Sequence, residues 1–332
     1  MINIVPTRVR LLMRSSWLRL TTRLVVGIGV LIAVFAHVGT GPLLHGLVSL
    51  DGRTIGAAVV LAAVATAAAA WRWRVIATRL GVEIRWVAAV GMYYRSQFLN
   101  TVIPGGIAGD LHRAVALGGS TESIKRTARS VAIERTAGQV VQVALALIVL
   151  AYLGTEFEGY LLAALGIGLA VIAVALLVTT VASGRARGAL LHEVRELRAG
   201  LGSVRASAQV GIASVVVVGC HVGILAIATA AVGTDVAALA LLPLALVILL
   251  GASIPLNIGG WGPREGVAGW AFAVAGFGAS AGVAASTLFG VLAFISVAPG
   301  AIITVVLAAR QRKANAAVPV LVLAAGNQEK TS

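Results

Sequence analysis

Long unbroken apolar runs dominate this chain, in place of the alternation of a half-buried strand or the one-sided stripe of a soluble helix. Seven of them approach the roughly 20 predominantly apolar residues that a membrane span requires. They cover 24–44, 54–71, 131–153, 159–182, 209–232, 237–256 and 283–308, and an eighth, 264–281, is shorter and glycine-rich. In lipid every backbone polar group must be satisfied within the segment, so apolar runs of this length predict helices. The expected fold is an all-α, polytopic transmembrane bundle of about eight spans. Residues 1–23 form a basic N-terminal segment, 24–310 the membrane domain, and 311–332 a tail whose apolar patch is too short to span.

Composition agrees with the pattern. The 332 residues are 59% hydrophobic and 11% charged, with a mean hydropathy of +0.98, beyond the range of soluble domains. A net charge of +14 in a soluble chain would point to nucleic acid. Here the arginines cluster in short connectors, as the positive-inside bias predicts, and no nucleic-acid partner is expected. Arg8 to Arg23 precede the first run, and Arg72, Arg74, Arg79, Arg85 and Arg95 follow the second; both groups, with "RQRK" near the end, belong on the cytoplasmic side. "GTEFEG" with Glu156 and Glu158 then lies outside, and "SGRARGALLHEVRELRAGLGSVR" inside. A multi-pass cell-membrane protein with both termini cytoplasmic follows. The N-terminus also has the n-region and h-region of a cleaved signal peptide, but no A-x-A site follows.

The segment Trp86 to Pro104 does not fit a simple crossing, because both its flanks are strongly basic. A re-entrant helix that enters and leaves on the cytoplasmic side satisfies the charge rule. It passes directly into "LNTVIPGGIAGDLHR", Leu99 to Arg113, where Asn100, Pro104, clustered glycines and charges interrupt the apolar pattern. Broken backbone at membrane depth is tolerated only in protein or beside a wet cavity. "SIPLNIGGWGPREG", Ser253 to Gly266, repeats the theme, and suggests two related halves.

Six charges lie within or beside apolar runs: Asp110, Arg113, Glu134, Arg135, Arg264 and Glu265. Unpaired at the bilayer centre they would together cost about 15–20 kcal/mol, so they must pair, reach the interface or face water. Asp110 and Arg113 share a helix face, whereas Glu134 and Arg135, as neighbours, need partners on other elements. Gln139 and Gln142 extend a polar stripe from Arg135 along one face, which should point into the bundle. Two roles stay open for that stripe: a binding surface, or an arginine snorkelling to the interface with glutamines tying helices together. Asp110 and Arg113 likewise suit either a site or a structural helix-end pair.

Glycine lets backbone approach a ligand closely, and the N–H groups of a helix start attract anions. Gly105, Gly106 and Gly109 precede Arg113; Gly259, Gly260 and Gly262 precede the helix start at Pro263, followed by Arg264 and Glu265. Two such starts, each with an arginine, suit a phosphate. The candidate substrate-binding set is thus Asn100, Pro104, Gly105, Gly106, Gly109, Asp110, Arg113, Glu134, Arg135, Gln139, Asn257, Gly259, Gly260, Arg264 and Glu265. The histidines lack metal-ligand spacing, the single cysteine, Cys220, reads as a small core residue, and neither metal nor cofactor is expected. Trp71 and Trp73 with Arg72 and Arg74, "WRWR", read as an interfacial belt.

"RWRVIATRLG", "YYRSQFLNTVIPGGIAGDLHRAVAL", "SVAIERTAGQ" and "ASIPLNIGGWGPREG" together resemble the signature blocks of the flippase-like membrane region of lysylphosphatidylglycerol synthases and their stand-alone relatives. The resemblance runs over residues 24 to 310. The family's P-G-x-x-G-G-D appears as Pro104 to Asp110, with Ala108 where a second glycine is common. It implies movement of a phospholipid or polyprenyl-linked head group between leaflets, and no aminoacyl-transfer domain is expected in this sequence. The expected partners are membrane lipids with a phosphate-bearing or anionic head group. The alternative function is a non-transporting scaffold that supplies lipid-linked sugar to a partner glycosyltransferase. An enzyme is not expected, since no nucleophile and base stand out.

Overall fold

The computed structural model describes residues 47–103, 108–117, 121–153, 184–253 and 262–307, with positions 44, 159, 309 and 310. The expected spans 24–44 and 159–182 lie almost wholly outside the described residues. So do Pro104, Gly105, Gly106, Asn257, Gly259 and Gly260 of the candidate set.

All regular structure among the described residues is helical. In chain order the helices are α1 (Gly52–Arg79), α2 (Trp86–Val102), α3 (Ala108–Ala116), α4 (Thr121–Leu153) and α5 (Gly184–Leu201). They are followed by α6 (Val204–Ala231), α7 (Ala238–Ala252), α8 (Pro263–Val274) and α9 (Ala279–Ser296). Among the described residues, four helical stretches are long and apolar enough to cross a membrane: Gly52–Arg79, Ser123–Tyr152, Val204–Ala231 and Ala279–Leu307. They contain the expected run 54–71 and nearly all of 131–153, 209–232 and 283–308. Val60, Val64, Val140, Ile148, Ile212, Val215, Ile302 and Val305 point outward from them, as lipid-facing residues do where apolar solvent replaces water.

The run 264–281 is not one span. α8 stops at Val274, and Gly276 and Gly278, with φ of 82° and 87°, carry the chain through a turn that other residues would enter only with strain. The run 237–256 forms an apolar helix of 15 residues, Ala238–Ala252. The described bundle therefore holds two pairs of shorter helices, α2 with α3 and α7 with α8, beside four long ones.

One core joins α1, α4 and α6 to α7, α8 and α9 through Ala58, Leu150, Ile224, Leu225, Leu244, Ile248, Phe272 and Leu288. A second, between α1, α2 and α4, contains Trp73, Ala89, Tyr93 and Val131. Small residues set the closest approaches. A Cβ on Gly282 would lie 2.2 Å from the Ala268 carbonyl oxygen, and one on Gly300 would lie 2.2 Å from that of Tyr94. The arginine-rich connector before α6 is itself the helix α5, and its Leu201 end packs on Ile76, Ile133 and Val210. Arg79 at the end of α1 and Lys125, Arg126 and Arg129 near the start of α4 line one polar cleft with His192 and Glu196 of α5.

Candidate functional site

Helical periodicity turns Ala69, Ala70, Arg72, Trp73, Ile76 and Ala77 of α1 inward. "WRWR" therefore divides between two environments. Trp71 and Arg74 stay at the rim, but Arg72 is 6% exposed and Trp73 fully buried, so the belt reading is corrected for these two. A buried guanidinium requires a carboxylate, and α4 supplies it. Arg72 donates to Glu134 Oε1 from Nε at 2.9 Å and also from Nη2, while its Nη1 reaches Ser214 Oγ of α6 at 2.9 Å. Space for the guanidinium comes from Gly138, one turn after Glu134, where a Cβ would lie 2.7 Å from Arg72 Nη1.

Glu134 is fully buried and collects more than Arg72. Tyr93 of α2 donates its hydroxyl to Oε1 at 3.1 Å, and Arg113 of α3 donates Nη2 to Oε2 at 3.0 Å. Arg113 is fully buried too, its guanidinium lying between the Trp73 and Tyr93 rings at 4.5 Å and 4.4 Å from their centroids. Stacking of this kind favours the planar, weakly hydrated arginine over lysine. Ser130 Oγ accepts from Trp73 Nε1 at 3.0 Å and so fixes that ring. Nε and Nη1 of Arg113 have no hydrogen-bond partner among the described residues.

The second acid, Asp110, is held by α2 and α3 together. It accepts from Arg113 at 3.1 Å, from Ser96 Oγ at 3.1 Å and from Asn100 Nδ2 at 3.4 Å, and Arg135 Nη2 of α4 lies 2.7 Å from its Oδ2. Asn100 Oδ1 accepts the Gly109 amide at 2.7 Å, capping the start of α3. Only glycine fits at 109, since a Cβ there would lie 1.9 Å from the Ser96 carbonyl oxygen. The glycine cluster predicted close approach of backbone to a ligand; at Gly109 the close approach is instead that of α3 to α2.

Asn100, Gly109, Asp110, Arg113, Glu134 and Arg135 therefore converge on one network. As expected, Glu134 and Arg135 find partners on other elements, and Asp110 pairs with Arg113 one helical turn away. Arg135 is the member that reaches the surface, its side chain being 49% exposed. Gln139 is also exposed and accepts from Ser253 Oγ at 3.4 Å, while Gln142 is half-buried with Nε2 unpaired among the described residues. The stripe turns inward only toward its far end. Arg264 and Glu265 form their own centre on α8 and α9. Arg264 donates to Glu265 Oε1 at 3.0 Å and 2.5 Å and to Ser286 Oγ at 3.0 Å, and stands over Phe289 at 5.1 Å. Glu265 Oε2 accepts the Gly262 amide at 2.6 Å, so this acid also closes the start of its helix.

Sequence reasoning missed Arg72, Trp73, Tyr93, Ser96, Ser214 and Gly138 as members of the network. The available signal was Arg72 itself, which sits seven residues before the helix ends at Arg79.

Long apolar helices around such a network define a multi-pass membrane protein with a charged polar centre. The family model described as the lysylphosphatidylglycerol synthase TM region matches residues 20–300, and the chain belongs to that family. No curated protein matches it. Membership ties the chain to membrane lipids.

Proposed function

We propose that this protein moves the phosphate-bearing head group of a phospholipid or polyprenyl-linked lipid between leaflets while the tails remain in the hydrocarbon. The observation that carries this reading is the charge balance of the buried network. Three guanidinium groups, Arg72, Arg113 and Arg135, face two carboxylates, Asp110 and Glu134, and Arg135 opens to the surface. One positive charge among these five is left for a ligand, matching a singly charged phosphodiester. Buried ion pairs add little net stability, so a network of this size in an apolar bundle is better accounted for by binding. In this reading the residues bind and orient the head group and perform no covalent chemistry. Arg135 contacts the phosphate, Arg113 backs it with its unpartnered Nε and Nη1, and Asp110 and Glu134 hold both. Arg264 and Glu265 fix the start of the second broken element.

The test is leaflet exchange of fluorescent anionic and zwitterionic lipids, and of polyprenyl phosphates, in proteoliposomes. Exchange faster than in protein-free vesicles for at least one phosphate-bearing lipid is expected. Exchange at the protein-free rate for every lipid would replace this reading with the scaffold that presents lipid-linked sugar to a glycosyltransferase.

We further infer that α2 and α3 form a re-entrant pair and that both termini are cytoplasmic. At 1.5 Å per residue α2 is about 25 Å long and α3 about 14 Å, short of a hydrocarbon core of about 30 Å. The α1 end at Arg79 and the α4 start at Lys125 share one cleft, which supports departure and return at one membrane face. Single cysteines at Arg79 and Lys125, in a Cys220→Ala background, should label from the same side in oriented vesicles. Labelling from opposite sides would mean that the segment crosses.

A further inference from the structure

A cleft of about 280 Å³ lies between the last turns of α1 and the first turns of α6, apart from the Glu134 network. Its wall carries three arginines, Arg74, Arg79 and Arg205, and no carboxylate among the described residues. Arg74 donates Nε to the Ile84 carbonyl at 3.0 Å and Arg79 donates Nε to the Ala199 carbonyl at 2.9 Å. These bonds hold the two side chains in place while engaging neither pair of terminal nitrogens. The Arg205 side chain makes no hydrogen bond to the described residues, and none of the three forms an ion pair among them. Ser203, the N-cap of α6, leaves its hydroxyl uncommitted to capping, and Thr78 and Gln209 add polar groups. The rest of the wall is apolar: Trp71, Val75 and Ala206.

We propose that this cleft binds the phosphate of an anionic phospholipid from the leaflet at the arginine-rich end of the bundle. Three guanidinium groups around one small cleft repel one another, and an anion removes that repulsion while meeting several donors at once. The apolar side of the wall selects a lipid over a soluble phosphate. Trp71 marks the head-group level, where tryptophan collects, and an acyl chain leaving the cleft meets Val75 and Ala206 rather than water. Basic pockets between helices at this level are a recognised form of anionic-lipid site. The occupant would remain bound as a fixed lipid of the fold. The site does not depend on transport through the Glu134 network.

The test uses the full chain in mixed micelles, with native mass spectrometry reading retention of phosphatidylglycerol against phosphatidylcholine. Wild type should prefer phosphatidylglycerol. Each of Arg74→Gln and Arg205→Gln should lower that preference about fivefold, the worth of one arginine at a membrane surface. Arg195→Gln, outside the cleft, should leave it unchanged, and glycerol phosphate at millimolar concentration should not displace the lipid. Equal retention of both lipids by wild type, or an unchanged preference in Arg205→Gln, would overturn the proposal. An equal loss in Arg195→Gln would show general charge attraction in its place, and displacement by glycerol phosphate would make the cleft a site for soluble anions. Because Arg74 also ties the α1–α2 link, Arg205→Gln decides the matter if Arg74→Gln lowers the folded yield.

Discussion

Glu134→Gln should abolish most of the folded protein. The carboxylate accepts from Arg72, Tyr93 and Arg113, and it neutralises two guanidinium groups that are themselves buried. Glutamine keeps the shape and loses the charge, leaving two buried cations with only Asp110 beside one of them. Removing one partner of a buried ion pair destabilises by about 3–5 kcal/mol, a large part of the whole stability of a typical domain. The measurement is the monodisperse yield after extraction and the thermal midpoint of what remains. Arg72→Met in the same chain should recover part of the loss, because it removes one uncompensated cation and fills the space with an apolar side chain. Glu134→Gln protein as stable as wild type would show that the carboxylate does not hold the network together.

Arg135→Ala should behave in the opposite way, keeping the fold and losing transport. Its side chain is half exposed, and Asp110 keeps Arg113, Ser96 and Asn100 when it is gone. Because the arginine side of this pair is open to solvent and Asp110 keeps its other partners, the loss should be about 1 kcal/mol, and yield and thermal midpoint should stay near wild type. If Arg135 grips the lipid phosphate, the loss of charge-assisted bonds should slow leaflet exchange about ten- to a hundredfold. Arg135→Lys should fall between, since it keeps the charge but not the planar fork. Unchanged exchange in Arg135→Ala would remove this residue from the path. A loss of yield matching Glu134→Gln would assign it a structural role.

These two residues are adjacent in sequence, and nothing in their order tells them apart. Helix geometry does so. Neighbours point about 100° apart on an α-helix, so Glu134 faces the packed junction of α1, α2 and α3 while Arg135 faces its edge. Which face is which depends on how α4 is rotated in the bundle.

The sequence alone determined the solvent, the helical class and most of the described spans, because each follows from a local physical rule. A long apolar run can satisfy its backbone in lipid only as a helix, and charges placed in such a run demand partners. It also determined that Asp110 meets Arg113, since three residues on a helix is about one turn. The tertiary structure alone decided the partners that are far apart in the chain. Arg72 reads as the head-group end of an apolar run until Glu134, 62 residues away, is brought beside it. Gly138 carries no signal in the sequence until Arg72 occupies the space it leaves. Trp73 reads as a belt aromatic, and Tyr93 carries no signal, until Arg113 lies against both rings. A charged side chain at a span's end is equally content in the head groups or in a buried pair, and only the packing of a second helix makes one of these lower in free energy.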